Sequence, residues 1–74
     1  MSLEQQIINE LAHDIGPAAP SFLKRQCAFH LQKDSSALTK ADLAELSKWI
    51  FIGIKLILDE ATAGRLKSRI MSMN

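Results

Sequence analysis

The stretch LTKADLAELSKWIFIGIKLILD, residues 38–59, decides the fold. Thr39 stands at an N-cap position, and Asp42 stands three residues on, where a capping box places an acid. Leu38 and Leu43 occupy the two positions of a hydrophobic staple. This start signal predicts a helix from Thr39 to about Leu58. The isoleucine-rich run Trp49 to Leu58 also invites a strand reading. The rest of the chain offers no partner strand, and a lone strand would leave its backbone groups unpaired.

On a helical wheel, Glu45, Lys48, Lys55 and Asp59 form one polar wedge, with Ile52 in its midst. The remaining arc covers roughly two-thirds of the circumference, whereas an ordinary surface helix carries an apolar stripe about 100° wide. Leu43, Leu46, Ile50, Ile54 and Ile57 make one side of the arc. Trp49 and Leu56 extend it one way, and Phe51 and Leu58 the other. Each large side chain left in water forfeits ~1.5–3 kcal/mol. Such a helix is therefore either the centre of its own bundle or covered on one side by another surface. Gly53 lies on the same arc, where glycine costs ~1 kcal/mol relative to alanine. It either admits a second helix at close range or makes room for Trp49 or Phe22 within the chain.

Outward from this spine, Glu60 to about Met73 carries the stripe Ala63, Leu66, Ile70 and Met73, flanked by Arg65, Lys67 and Arg69. Asp59 either caps this fourth helix or lies in one helix continuous with the third. Upstream, Gly16-Pro17-Ala18-Ala19-Pro20 and Lys33-Asp34-Ser35-Ser36-Ala37 punctuate the chain. A first helix is expected from about Leu3 to Ile15, with Ser2 as its cap and Gln5 completing a capping box. A second should start between Pro17 and Pro20 and end near Gln32. Its apolar arc carries Leu23, Cys27 and Leu31, edged by Phe22 and Phe29, and Gln26 and His30 point into it. The expected fold is all-α: one domain spanning residues 1–74, a bundle of four helices, or of three with one long.

Seventy-four residues hide only ~60% of the surface of the unfolded chain, so such a core is marginal by itself. Chains this short usually add disulfides, a metal or a second subunit. A single cysteine, Cys27, excludes an internal disulfide, and no Cys/His spacing matches a structural zinc site. Cys27 and His30 share a face, but the only other soft ligand, His13, falls on the polar side of helix one. Oligomerisation is the stabiliser left, and 47% apolar residues agree with it. No Ser/His/Asp pattern, carboxylate pair or glycine-rich phosphate loop is present, so no enzyme and no cofactor is expected. The free cysteine suits a reducing cytoplasm, and Trp49–Leu58 is too short for the ~20 residues of a membrane span.

Two functional readings follow. The first is a non-enzymatic protein-interaction module, homodimeric or docked on a protein partner, with Trp49, Phe51, Ile52, Gly53 and Leu56 as its interface. The second is a small nucleic-acid-binding regulator using Lys24, Arg25, Arg65, Lys67 and Arg69. A net charge of +1 with interspersed signs favours the first.

Ile15-Gly16-Pro17-Ala18-Ala19, followed by Phe22-Leu23-Lys24-Arg25, resembles a small GPxA-containing helical domain of unknown function in bacterial signalling proteins. There it follows receiver or protein-kinase modules. The resemblance covers about a third of the chain, and Pro20 and the very apolar Trp49–Leu58 depart from the pattern. It implies an accessory interaction module in bacterial signalling, with no catalytic residue to carry over.

Overall fold

Ser2 opens the first helix by accepting a hydrogen bond from Gln5 N–H at 3.1 Å. The computed structural model describes residues 2–73. Helix α1 spans Leu3–Ile15 and buries Ile7 and Leu11. Its capping box is half formed, because the Gln5 side chain turns away to Asn9, 2.9 Å distant.

Gly16 adopts φ +58°, a left-handed value that other residues resist. The chain then makes a 3-10 turn at Gly16–Ala18 and enters α2, Ala19–Gln26, directly. So α1 and α2 form one long rod bent at the Gly-Pro corner. The second helix ends near Gln32, as its periodicity predicts, but α-helical bonding stops at Gln26 and Cys27–Leu31 continue as a single π turn. Gln32 ends it in the left-handed region at φ 51°, and Lys33 N–H reaches back to the Cys27 carbonyl at 3.3 Å. Phe29, within this turn, is exposed and does not edge the core.

The connection to the third helix is fastened by polar groups. Asp42 Oδ2 accepts from Lys33 Nζ at 2.7 Å and from Thr39 N–H at 2.9 Å. Asp34 accepts from Ser36 N–H at 2.9 Å. Ser35 is buried and its hydroxyl donates to the Glu4 carboxylate, which ties this connection to the start of α1. A 3-10 turn over Lys40–Asp42 then leads into α3, Leu43–Ile57. The chain breaks at Leu58, and Asp59 starts α4 by accepting from Thr62 N–H at 2.6 Å. Helices three and four are thus separate, and α4, Glu60–Met71, stops short of the Met73 expected from its stripe.

Among the described residues, twelve buried side chains make one core: Ile7, Leu11, Ala19, Leu23, Cys27, Leu43, Leu46, Ile50, Ile54, Ala63, Leu66 and Ile70. Helix α4 folds back along α3 in the most extensive pairing of the molecule, and α2 with its π turn lies against the other side of α3. Complete burial of one leucine or isoleucine is worth ~1.5–3 kcal/mol, so α3, which buries Leu46, Ile50 and Ile54, is the largest contributor. The radius of gyration, 10.8 Å, is close to the ~11 Å expected of one compact unit. No strand occurs among the described residues.

Candidate interaction surface on α3

The α2–α3 seam organises the face that the sequence singles out. A Cβ built on Gly53 would stand 2.9 Å from Phe22 Cζ. Four residues further along α2, Gln26 Nε2 also borders Gly53, at 3.4 Å from the same position. One more turn on, at the π segment, the His30 ring stacks on Trp49 with centroids 3.8 Å apart and planes 4° apart. The pairings descend along α3 as they ascend along α2, so the two helices run antiparallel. Of the two roles open to Gly53, the subunit itself supplies one: the glycine admits the edge of Phe22.

Beside this seam the apolar arc of α3 is not covered. Leu56 is 82% exposed, Ile57 58% and Ile52 41%. Leu58, in the break, is exposed as well. A groove of about 430 Å³ runs along the edge of the patch; Phe22 and Gly53 line it, as do Ala18 and Ile15, and Arg25 and Gln26 add polar atoms. Leu56 and Ile57 form the α3 side of that groove.

The five interface candidates therefore separate. Ile52 and Leu56 are exposed and one helical turn apart. Gly53 lines the groove together with Leu56. Trp49 is half-buried under His30, with Lys48 Nζ 4.8 Å from its ring centre. Phe51 faces the opposite way: it packs on the core next to α4, with Lys67 Nζ 5.5 Å and Lys55 Nζ 6.0 Å from its ring centre. Ile57 and Phe22 complete the surface. The sequence placed Ile57 on the core side of the wheel, whereas it is exposed and lines the groove opposite Ile15, Ala18 and Phe22.

The cationic candidates do not gather into one patch. Arg69 makes a two-pronged contact with Glu10, Nε to Oε2 at 2.9 Å and an η nitrogen to Oε1 at 3.1 Å. Arg65 bonds Asp14 at 2.7 Å. Both pairs tie α4 to α1 and neutralise two of the five charges that a phosphate backbone would use. Lys67 lies over Phe51, while Lys24 and Arg25 are exposed on α2.

Cys27 is fully buried at the head of the π turn. Burial pushes its thiol up to about 11, and the carboxylates of Asp42, Glu4 and Asp34 add to the shift. A thiol so protonated is a poor nucleophile and a poor metal ligand. No group of three His, Cys, Asp or Glu side chains within reach of one metal ion occurs among the described residues. No helix there is long and apolar enough to cross a membrane. Against known proteins, no family model, curated protein or solved structure matches the chain.

Proposed function

We propose that this chain is a small non-enzymatic protein-interaction module whose partner is a second copy of itself, joined through the outer face of α3. The observation that supports this reading is the exposure of Leu56, Ile57 and Ile52 beside a groove of their own subunit. Each such side chain forfeits up to ~1.5–3 kcal/mol by staying in water. Together they reach the scale of the whole stability of a small domain, about 5–15 kcal/mol. A symmetric pair needs knob and hole on one surface. Leu56 is the knob, and the groove at Phe22 and Gly53 is the hole. An interface of ordinary size takes about 800 Å² from each partner. That is a modest share of the 4307 Å² that this subunit exposes. By the resemblance at its Gly16–Pro17 corner, the module would serve as an accessory part of a bacterial signalling system in the cytoplasm.

Sedimentation equilibrium tests the reading. A dimer at tens of micromolar is expected, and Leu56→Lys should convert it to a folded monomer, with the helical circular dichroism unchanged. A monomeric wild-type protein at that concentration overturns it.

A further inference from the structure

The groove between α2 and α3 is polar at one end and apolar at the other. Because the two helices run antiparallel, Arg25 and Gln26 stand at the end nearer His30. At the far end Ile15 and Ala18 face Leu56 and Ile57. Ala18 and Gln26 are eight positions apart, roughly 12 Å at the rise of a helix. Among the described residues, Arg25 is the one charged side chain that lines the groove. Neither its guanidinium nor the Gln26 amide meets a hydrogen-bonding or ionic partner there. The acids nearest in sequence to the lining are committed elsewhere: Asp14 bonds Arg65, and Asp59 accepts from Thr62 N–H. Ser21, between the two ends, donates its hydroxyl to the Ala18 carbonyl at 3.2 Å.

From this division we infer that the groove binds a small anionic amphiphile, a medium-chain aliphatic carboxylate. Its head meets Arg25, and its tail lies toward Ile15 and Ile57. The groove's volume, about 430 Å³, falls in the ~300–1,000 Å³ range of small-molecule sites. Such sites join mainly apolar walls to a few polar groups that fix orientation, and here those groups sit together at one end. A guanidinium presents paired N–H donors that match a carboxylate, and the Gln26 amide adds a further donor. A cationic ligand would be repelled by Arg25, and a neutral hydrocarbon would leave it unused. An anion without a tail would leave Leu56 and Ile57 in water. The site does not depend on self-association. It is the same groove that Leu56 of a second copy would fill, so ligand and second copy compete for it.

Methyl NMR titration with octanoate, and with octanol as its uncharged counterpart, tests the site. Saturable shifts of the Ile15, Leu56 and Ile57 methyl signals are expected, with an octanoate Kd below about 1 mM. Octanol should bind about fivefold more weakly, because Arg25 gains nothing from it. Arg25 is exposed and unpartnered, so Arg25→Gln should fold as wild type does. It should weaken octanoate about fivefold and leave octanol unchanged, while Arg25→Lys keeps the charge and restores part of the loss. Equal affinity for the two ligands, or an Arg25→Gln variant that binds octanoate as tightly as wild type, overturns the inference. So do shifts that never saturate, or that move Ile52 and leave Ile15 still. Sedimentation in the same buffers separates this from self-association. Octanoate binding to a monomeric wild-type protein supports the site and overturns the pairing; a dimer with no octanoate shifts overturns the site and leaves the pairing standing.

Discussion

His30 lies flat on Trp49, with ring centroids 3.8 Å apart and planes within 4° of parallel. The contact joins the π turn that ends the α1–α2 rod to the middle of α3. It explains why a histidine occupies an otherwise apolar arc: the imidazole acts here as a flat surface.

Trp49 Nε1 is buried and meets no acceptor among the described residues. An unmade hydrogen bond at a buried donor costs ~1–3 kcal/mol. Trp49→Phe removes that donor and keeps an aromatic face for His30, at the expense of some buried area. The two effects oppose each other, and the expected change in urea-unfolding free energy is below about 1 kcal/mol. His30→Ala deletes the stack and should cost ~0.5–1.5 kcal/mol. Chemical denaturation followed by circular dichroism measures both. A loss with Trp49→Phe as large as that with Trp49→Ala would show that Nε1 has a partner.

The two helical glycines should respond oppositely to alanine. Gly64 has nothing within 4 Å of a Cβ position, so Gly64→Ala should add about 0.5–1 kcal/mol through helix propensity alone. Gly53→Ala gains the same propensity but drives a methyl to 2.9 Å from Phe22 Cζ. The ring must yield, and a net loss of about 1 kcal/mol is expected. In a Phe22→Ala background the clash is gone and Gly53→Ala should become stabilising. A double-mutant cycle without that change of sign would mean that Phe22 moves aside freely.

Local chemistry was the legible part of this fold. Thr39, Asp42 and Asp59 announce helix starts by side chains that bond a backbone three residues away, and the stripe Ala63–Leu66–Ile70 follows from helical periodicity. What joins distant segments was hidden. The Arg69–Glu10 and Arg65–Asp14 pairs span 59 and 51 residues, and neither end looks unusual in its own helix. The π turn at Cys27–Leu31 was equally invisible, since one extra residue in a turn leaves the apolar spacing almost intact. It carries the exposed Phe29 and the His30 ring stacked on Trp49, next to the candidate site. On α3, Ile52 and Leu56 could be picked from the wheel. Gly53 could not be assigned, because the wheel does not say which helix, its own or another copy's, crosses at that point.

Acid should destabilise the protein through three aspartates. Asp42 is held below the usual carboxylate range by the hydrogen bond from Lys33 and then by Thr39 N–H. Thr62 N–H does the same for Asp59, and Ser36 N–H for Asp34. Their folded pKa values are depressed, so the stability they contribute is fully present above the unfolded value, about 3.9. It is lost as pH falls through the folded values. Tm should be level from neutral pH to about 5 and fall below about 4. Asp42→Asn breaks the pairing with Lys33, so it should lower Tm at neutral pH and flatten the acid limb. Asp59→Asn keeps a capping oxygen and should change neutral-pH Tm less. A Tm that rises below pH 4 would reverse the sign of the linkage.

Cys27 makes the core's opening measurable. Its side chain is fully buried, and its pKa of about 11 leaves almost no thiolate at neutral pH. A disulfide reagent such as DTNB reacts only with thiolate that it can reach. Labelling of the native protein therefore requires that Cys27 first be exposed. Native labelling at pH 8 should be at least about 100-fold slower than labelling of the chain in denaturant, given a stability of several kcal/mol. Two routes of exposure are distinguishable. If only the π turn and the left-handed Gln32 loosen, the rate will barely depend on low concentrations of urea, since little surface is uncovered. If α2 must leave α3, the logarithm of the rate will rise with urea at the slope of global unfolding. Cys27 packs in the same core as Leu23, Leu46 and Ile50, so the second is expected. His30→Ala should then accelerate labelling by the same factor by which it lowers stability. A native thiol that reacts at once would place Cys27 at the surface and contradict the packing of α2 on α3.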